Sequence, residues 1–104
     1  MQGFISLTLR LDPAEEGGFV AHCPELDVVS QGESVEEAMT NIKDACLTFL
    51  ETIEELGDAD QFFLDHGIKL EPKAPAEVKN VKVTTGEVVS VLAASVGSGA
   101  TFAS

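Results

Sequence analysis

Residues 17–50 read GGFVAHCPELDVVSQGESVEEAMTNIKDACLTFL, and where this stretch divides decides the fold. Its second half is a helix with a marked start. Ser34 suits the N-cap, because its hydroxyl can accept a hydrogen bond from an unpaired first-turn amide. Glu37, three residues on, can return the favour to the Ser34 amide as a capping box. Glu36 and Glu37 also put negative charge at the positive end of the helix dipole. Apolar residues then recur at Val35, Ala38, Met39, Ile42, Cys46, Phe49, Leu50, Ile53 and Leu56, a single stripe for a core. Gly57 is the expected stop, so the helix runs from Ser34 to Leu56. The first half of the stretch divides into a strand over Phe19–Cys23, a break at Pro24 and a short strand over Leu26–Ser30.

Upstream, Phe4–Leu11 alternates. Ile5, Leu7, Leu9 and Leu11 share one face and Ser6, Thr8 and Arg10 the other, the pattern of a half-buried strand. Asp12-Pro13 and Gly17-Gly18 turn it back on the next strand. Downstream, Asp58-Ala59-Asp60 opens a short second helix over Gln61–His66, with Gly67 as its stop. The expected fold class is α+β: a three-stranded antiparallel sheet packed on one long helix, plus a short helix and a C-terminal strand. Ile42, Cys46, Phe49 and Ile53 are expected against Ile5, Leu7 and Leu9. The parts are residues 1–70 as the α+β body, 71–80 as connector, 81–96 as a C-terminal strand region and 97–104 as a flexible tail. Within 81–94, Thr84-Thr85-Gly86 reads as a turn between two β-prone runs. The second run is apolar on both faces, so Val88, Val89, Val91 and Leu92 form the expected interface of a homo-oligomer.

The chain has 104 residues and a net charge of −12. Residues 1–71 hold 16 acids against 3 bases (−13), and residues 72–104 hold 2 against 3 (+1). An acidic body repels phosphate, so direct nucleic-acid binding by residues 1–71 is not expected. The surface serves either solubility or a basic partner. On the polar helix face Lys43 is the sole base, although Lys at four residues beyond Glu would stabilise the helix. That tilts the reading toward a partner. No apolar run is long enough to span a membrane and the first residues lack a signal-peptide pattern, so a cytoplasmic protein is expected.

Chemistry is sparse. Cys23 and Cys46 read as buried thiols, with a disulfide as the alternative. His22 and Cys23 are neighbours on a strand and point to opposite faces, which disfavours a nucleophile–base pair. His66, beside Gly67, suits a helix C-terminus. Glu15-Glu16, Glu36-Glu37, Glu54-Glu55 and Asp58 with Asp60 fall in loops or on the outer helix face, where water equalises their acidity. Asp58-Ala59-Asp60 lacks the further oxygen ligands of a cation loop. Gly17-Gly18 has no following helix or lysine for a phosphate. No enzyme activity, metal or other cofactor is expected.

Gly17-Gly18-Phe19-Val20-Ala21, Cys23-Pro24-Glu25-Leu26, Gln31-Gly32-Glu33-Ser34 and Glu36-Glu37-Ala38 together resemble the HicB-like antitoxin family in order and spacing, over about residues 4–70. Val28 stands where many members have glycine, and no DNA-binding module is recognisable. The resemblance implies a reduced RNase H-like fold and a non-catalytic antitoxin that binds and inhibits a small basic mRNA-cleaving toxin. Phe19, Pro24 and Leu26 would then form an apolar contact patch, with Glu36, Glu37, Glu51 and Glu55 as its charged rim. The alternative is a solitary oligomeric scaffold or small-ligand-binding protein of the same fold. A nuclease of RNase H type would need acids converging on a metal, and the strands carry almost none.

Overall fold

Strict alternation in the first strand sets the layers of the protein. The computed structural model describes residues 3–72, 79–82, 88–97 and 100–102. Strand β1 spans Gly3–Pro13, with Ile5, Leu7 and Leu9 fully buried and Ser6 and Arg10 exposed on the other face. It is followed by β2 (Phe19–Cys23), β3 (Val28–Gly32), α1 (Val35–Glu55), α2 (Ala59–Asp65), β4 (Lys79–Lys82), β5 (Val88–Val96) and β6 (Thr101–Phe102). The sheet order is β3-β2-β1-β5-β4, with β6 on β5, and every pairing is antiparallel. The class is α+β, but the sheet is larger than the three strands expected.

Helix α1 lies across β3, β2 and β1. Its buried residues Ala38, Ile42, Cys46, Leu50 and Ile53 join Ile5, Leu7, Leu9, Leu11, Ala21, Cys23 and Leu26 in one core. Phe49 departs from the expectation. It is half-buried at the edge of the stripe and meets the Phe62 ring edge-on at 5.1 Å, while Leu50 takes the central place. The cause is α2, which folds back along α1 and offers Phe49 an apolar neighbour outside the sheet interface.

Both helices stop through the same device. Gly57 (φ 75°) donates to Glu54 O at 3.1 Å and Asp58 to Ile53 O at 2.9 Å. Gly67 (φ 65°) donates to Leu64 O at 3.3 Å and Ile68 to Phe63 O at 2.8 Å. These are Schellman closures, which satisfy the last helical carbonyls through a left-handed residue that glycine adopts at least cost. The second helix starts two residues earlier than expected, and Phe63 anchors it in the core.

Two boundaries moved for local reasons. Pro24–Asp27 closes as a turn, with the Asp27 amide donating to Pro24 O at 3.3 Å and Asp27 left-handed at φ 53°. Strand β3 therefore begins at Val28, not Leu26, and reaches Gly32. The tail was expected to be flexible, yet Gly97 (φ 105°) reverses the chain and Thr101–Phe102 pairs back on Ala94–Ser95. Ala100 is buried beneath it, and the Gly97 amide donates to Glu54 Oε1 at 2.5 Å.

The C-terminal strand is present, but its neighbours come from its own chain. Strand β5 pairs with β1 along almost its whole length and with β4 on its far side. Its backbone edges are thus occupied without a second subunit. The side chains of Val88, Val89, Val91 and Leu92, the expected oligomer interface, lie outside the described residues, as does the turn at Thr84–Gly86. Among the described residues no helix is long and apolar enough to cross a membrane.

Candidate functional site

The outer face of α1 is built by the same periodicity that builds its core stripe. At roughly 100° per residue, Glu36, Glu37, Asp44, Glu51 and Glu55 fall within about a third of the circumference, opposite the buried stripe. All five side chains are exposed. Glu37 also has a local duty. Its amide donates to Ser34 Oγ at 3.1 Å, and its Oε1 accepts from the Glu33 amide at 3.2 Å. The capping pair therefore closes one residue earlier than the expected bond to the Ser34 amide.

Glu37 is also the one acid of this face that shares a depression with Phe19. An open groove of about 660 Å³ runs between the β1–β2 turn and the start of α1, lined by Glu16, Gly18, Phe19, Gly32, Glu33 and Glu37 among others. Its floor depends on Gly32. A Cβ there would collide with the backbone of Glu37 and Ala38, so only glycine lets the helix cross the strand this closely. Gly18 closes the groove from above, where φ is 79° and a Cβ would lie 2.7 Å from Gly32 O.

The structure does not bring the expected apolar patch together. Phe19, half-buried, begins β2, whereas Pro24 follows its end and is exposed. Leu26 is only 3% exposed and belongs to the core. It cannot present its side chain to a partner while the core is intact. The turn directs it inward, and the outward positions nearby are taken by Pro24, Asp27 and Val29, of which Val29 is 61% exposed.

The same turn holds a group that the sequence did not reveal. The β1–β2 register pairs Arg10 with His22, so the next amide on that edge of β1, Thr8, falls opposite Pro24, which has no N–H and ends the ladder. The Glu25 carboxylate fills the gap. The Thr8 amide donates to Oε1 and the Thr8 hydroxyl to Oε2, each at 2.8 Å. The Cys23 thiol also donates to Glu25 Oε1, at 3.7 Å. Cys46 packs into the same core from α1. The influence of Cys46 holds the Cys23 thiol below the usual thiol range, against both burial and the Glu25 carboxylate. Cys23 and burial push the Cys46 thiol above it. Both cysteines are free and fully buried. An acid directly after a strand-ending proline was the only available hint.

The histidines occupy separate places. His22 Nε2 lies 3.5 Å from Asp27 Oδ1 at the surface, on the opposite side of β2 from Cys23. His66 caps α2, with Nδ1 3.0 Å from Phe62 O and its ring stacked on Phe62 at 4.0 Å. Among the described residues no three His, Cys, Asp or Glu side chains are grouped to hold a metal ion. No family model, curated protein or solved structure matches the chain.

Proposed function

We propose that this protein is a non-catalytic antitoxin that binds a small basic mRNA-cleaving toxin and keeps it from RNA. The observation that carries the reading is the acidic outer face of α1, where Glu36, Glu37, Asp44, Glu51 and Glu55 stand exposed on a rigid helix. A basic RNA-binding surface seeks negative charge, and a helix that fixes carboxylates in one plane competes with phosphate for it. The likeness to HicB-like antitoxins supports the same partner by an independent route. Complementary charge of this kind accelerates encounter and sets orientation, while an apolar contact supplies the affinity. Phe19, the one large apolar side chain lining the groove that reaches the acidic face at Glu37, is the apolar contact, in place of the dispersed patch of Phe19, Pro24 and Leu26.

The deciding experiment is purification from the native host with whatever is bound, followed by an RNA-cleavage assay of the co-purified partner with and without added antitoxin. The expected result is a small basic protein whose cleavage of mRNA stops at a stoichiometric ratio. Recovery of the chain alone, from cells with no reading frame for a basic protein beside its gene, would leave the scaffold reading in its place.

A further inference from the structure

We infer that the edge of β1 at Ser6 is a binding site for a free α-amino acid, held by its ammonium and carboxylate groups. Backbone N–H and C=O groups along a strand point alternately to its two edges, so Phe4, Ser6, Thr8 and Arg10 present theirs on the same one. Arg10 pairs there with His22 of β2. The Thr8 amide donates to the Glu25 carboxylate at 2.8 Å. Phe4 exchanges two bonds with Glu71: its amide donates to Glu71 O and its carbonyl accepts from the Glu71 amide, each at 2.7 Å. Ser6 lies between these, and no group among the described residues pairs with its amide or carbonyl on this edge.

A cleft of about 260 Å³ opens in front of Ser6, between β1 and the chain after α2, and is lined also by Glu25, His66, Ile68, Lys69 and Glu71. Both of its ends are fixed by contacts with β1. The Glu25 carboxylate is held by the Thr8 amide and hydroxyl. At the other end a Cβ on Gly3 would lie 2.8 Å from Glu71 O and from Leu70 Cγ, so glycine there lets this segment lie against the strand. Four residues of strand, about 14 Å, separate the rung at Phe4 from the one at Thr8, which is room for a single bridging residue.

The polarity of the edge decides what fits. In an antiparallel rung one residue gives its C=O to the strand's N–H and its N–H to the strand's C=O. A free amino acid offers the same pair at full charge: a carboxylate to accept from the Ser6 amide and an ammonium to donate to the Ser6 carbonyl. Bonds assisted by charge are the stronger ones. Along β1 the Ser6 N–H lies toward Glu71 and Lys69, and its C=O toward Glu25. The ligand's carboxylate therefore falls at the Lys69 end and its ammonium at the Glu25 end. Glu71, the acid at the carboxylate end, is answered by Lys69, whose Nζ lies 3.7 Å from its Oε1. Paired residues of a ladder share a face, so the ligand's side chain emerges beside Ser6, which is exposed. The site reads the two charged groups and tolerates the side chain.

The test titrates the full, isotope-labelled chain with L-alanine and follows its backbone amides by NMR. The Ser6 and Lys69 amides should shift and saturate at millimolar ligand, and glycine and L-serine should reproduce the shifts. N-acetyl-L-alanine lacks the ammonium and L-alaninamide lacks the carboxylate, and each should bind at least about tenfold more weakly. Glu25→Gln keeps an acceptor for the Thr8 amide and should weaken L-alanine binding by a similar factor, as should Lys69→Met at an exposed position. A Ser6 amide that stays still at tens of millimolar L-alanine would overturn the inference. So would equal binding of the two blocked forms, which would make this edge a rung for a peptide segment. The comparison of ligands on the wild-type chain decides the matter even if a variant fails to fold.

Discussion

Two glycines show how differently one residue type can be required. At Gly57 the backbone is left-handed (φ 75°) and nothing lies within 4 Å of a notional Cβ, so alanine there meets only a conformational penalty. Gly57→Ala should lower unfolding stability by about 1 kcal/mol. At Gly32 φ is ordinary but a Cβ would strike the backbone of Glu37 and Ala38, which cannot retreat as a side-chain tip can. Gly32→Ala should cost about 3 kcal/mol, because it levers α1 away from β3. Equal midpoints for the two variants in urea would show that the close crossing is misplaced. Ser34, Gly57 and Gly67 were legible in the sequence because capping and termination are local chemistry. Gly32 and Glu25 were not, because each answers to a segment brought near only by folding: the first turn of α1 for one, the open edge of β1 for the other.

At the scale of elements, the apolar stripe of α1 holds from Ala38 to Ile53, but Val35 and Leu56, expected on it, are exposed at the helix ends, and its centre is displaced. Leu50→Ala, at a fully buried site, should destabilise by about 2–5 kcal/mol. Phe49→Ala removes an edge contact with Phe62 and should cost less, about 1–2 kcal/mol. A larger loss for Phe49→Ala than for Leu50→Ala in chemical denaturation would reverse this assignment. Periodicity could not separate the two, because adjacent positions on a wide stripe differ only in what lies opposite. The β2 span was legible from the glycine and proline at its ends and β1 from its alternation, but β1 runs on through Asp12 and Pro13, expected in the turn, because they pair with Val20 and Phe19. The start of β3 was misread because Leu26 is apolar for a reason unrelated to strand pairing, filling the core from within a turn. The return strand β6, two residues long, is too short for alternation to reveal.

For the whole molecule, charge and topology make separate demands. Replacing Glu36, Glu37, Glu51 and Glu55 with glutamine keeps an acceptor oxygen at position 37 for the Glu33 amide and removes only charge. Such a protein should fold normally, bind its basic partner more slowly, and show a shallower salt dependence of the association rate. An unchanged rate at low salt would detach the acidic face from binding. The sheet was legible in its N-terminal half and not in its order, because nothing in the composition of residues 88–96 says which neighbour they choose. They choose β1, which places the last long strand beside the first and makes Gly3 a partner of Val96. A chain ending at residue 78 should therefore lose cooperative unfolding and sediment as aggregate, since it exposes a long edge of its central strand. A folded monomer from that truncation would show that β5 is dispensable. The same pairing gives the molecule a timetable. Contacts between segments this far apart in sequence are costly to close and come late. On a ribosome β1 emerges well before β5 and stands open along that edge until residues 88–96 have followed it. The interval between its appearance and the arrival of β5 is when this protein is most exposed to mispairing with another copy, and a slower rate of synthesis would lengthen it.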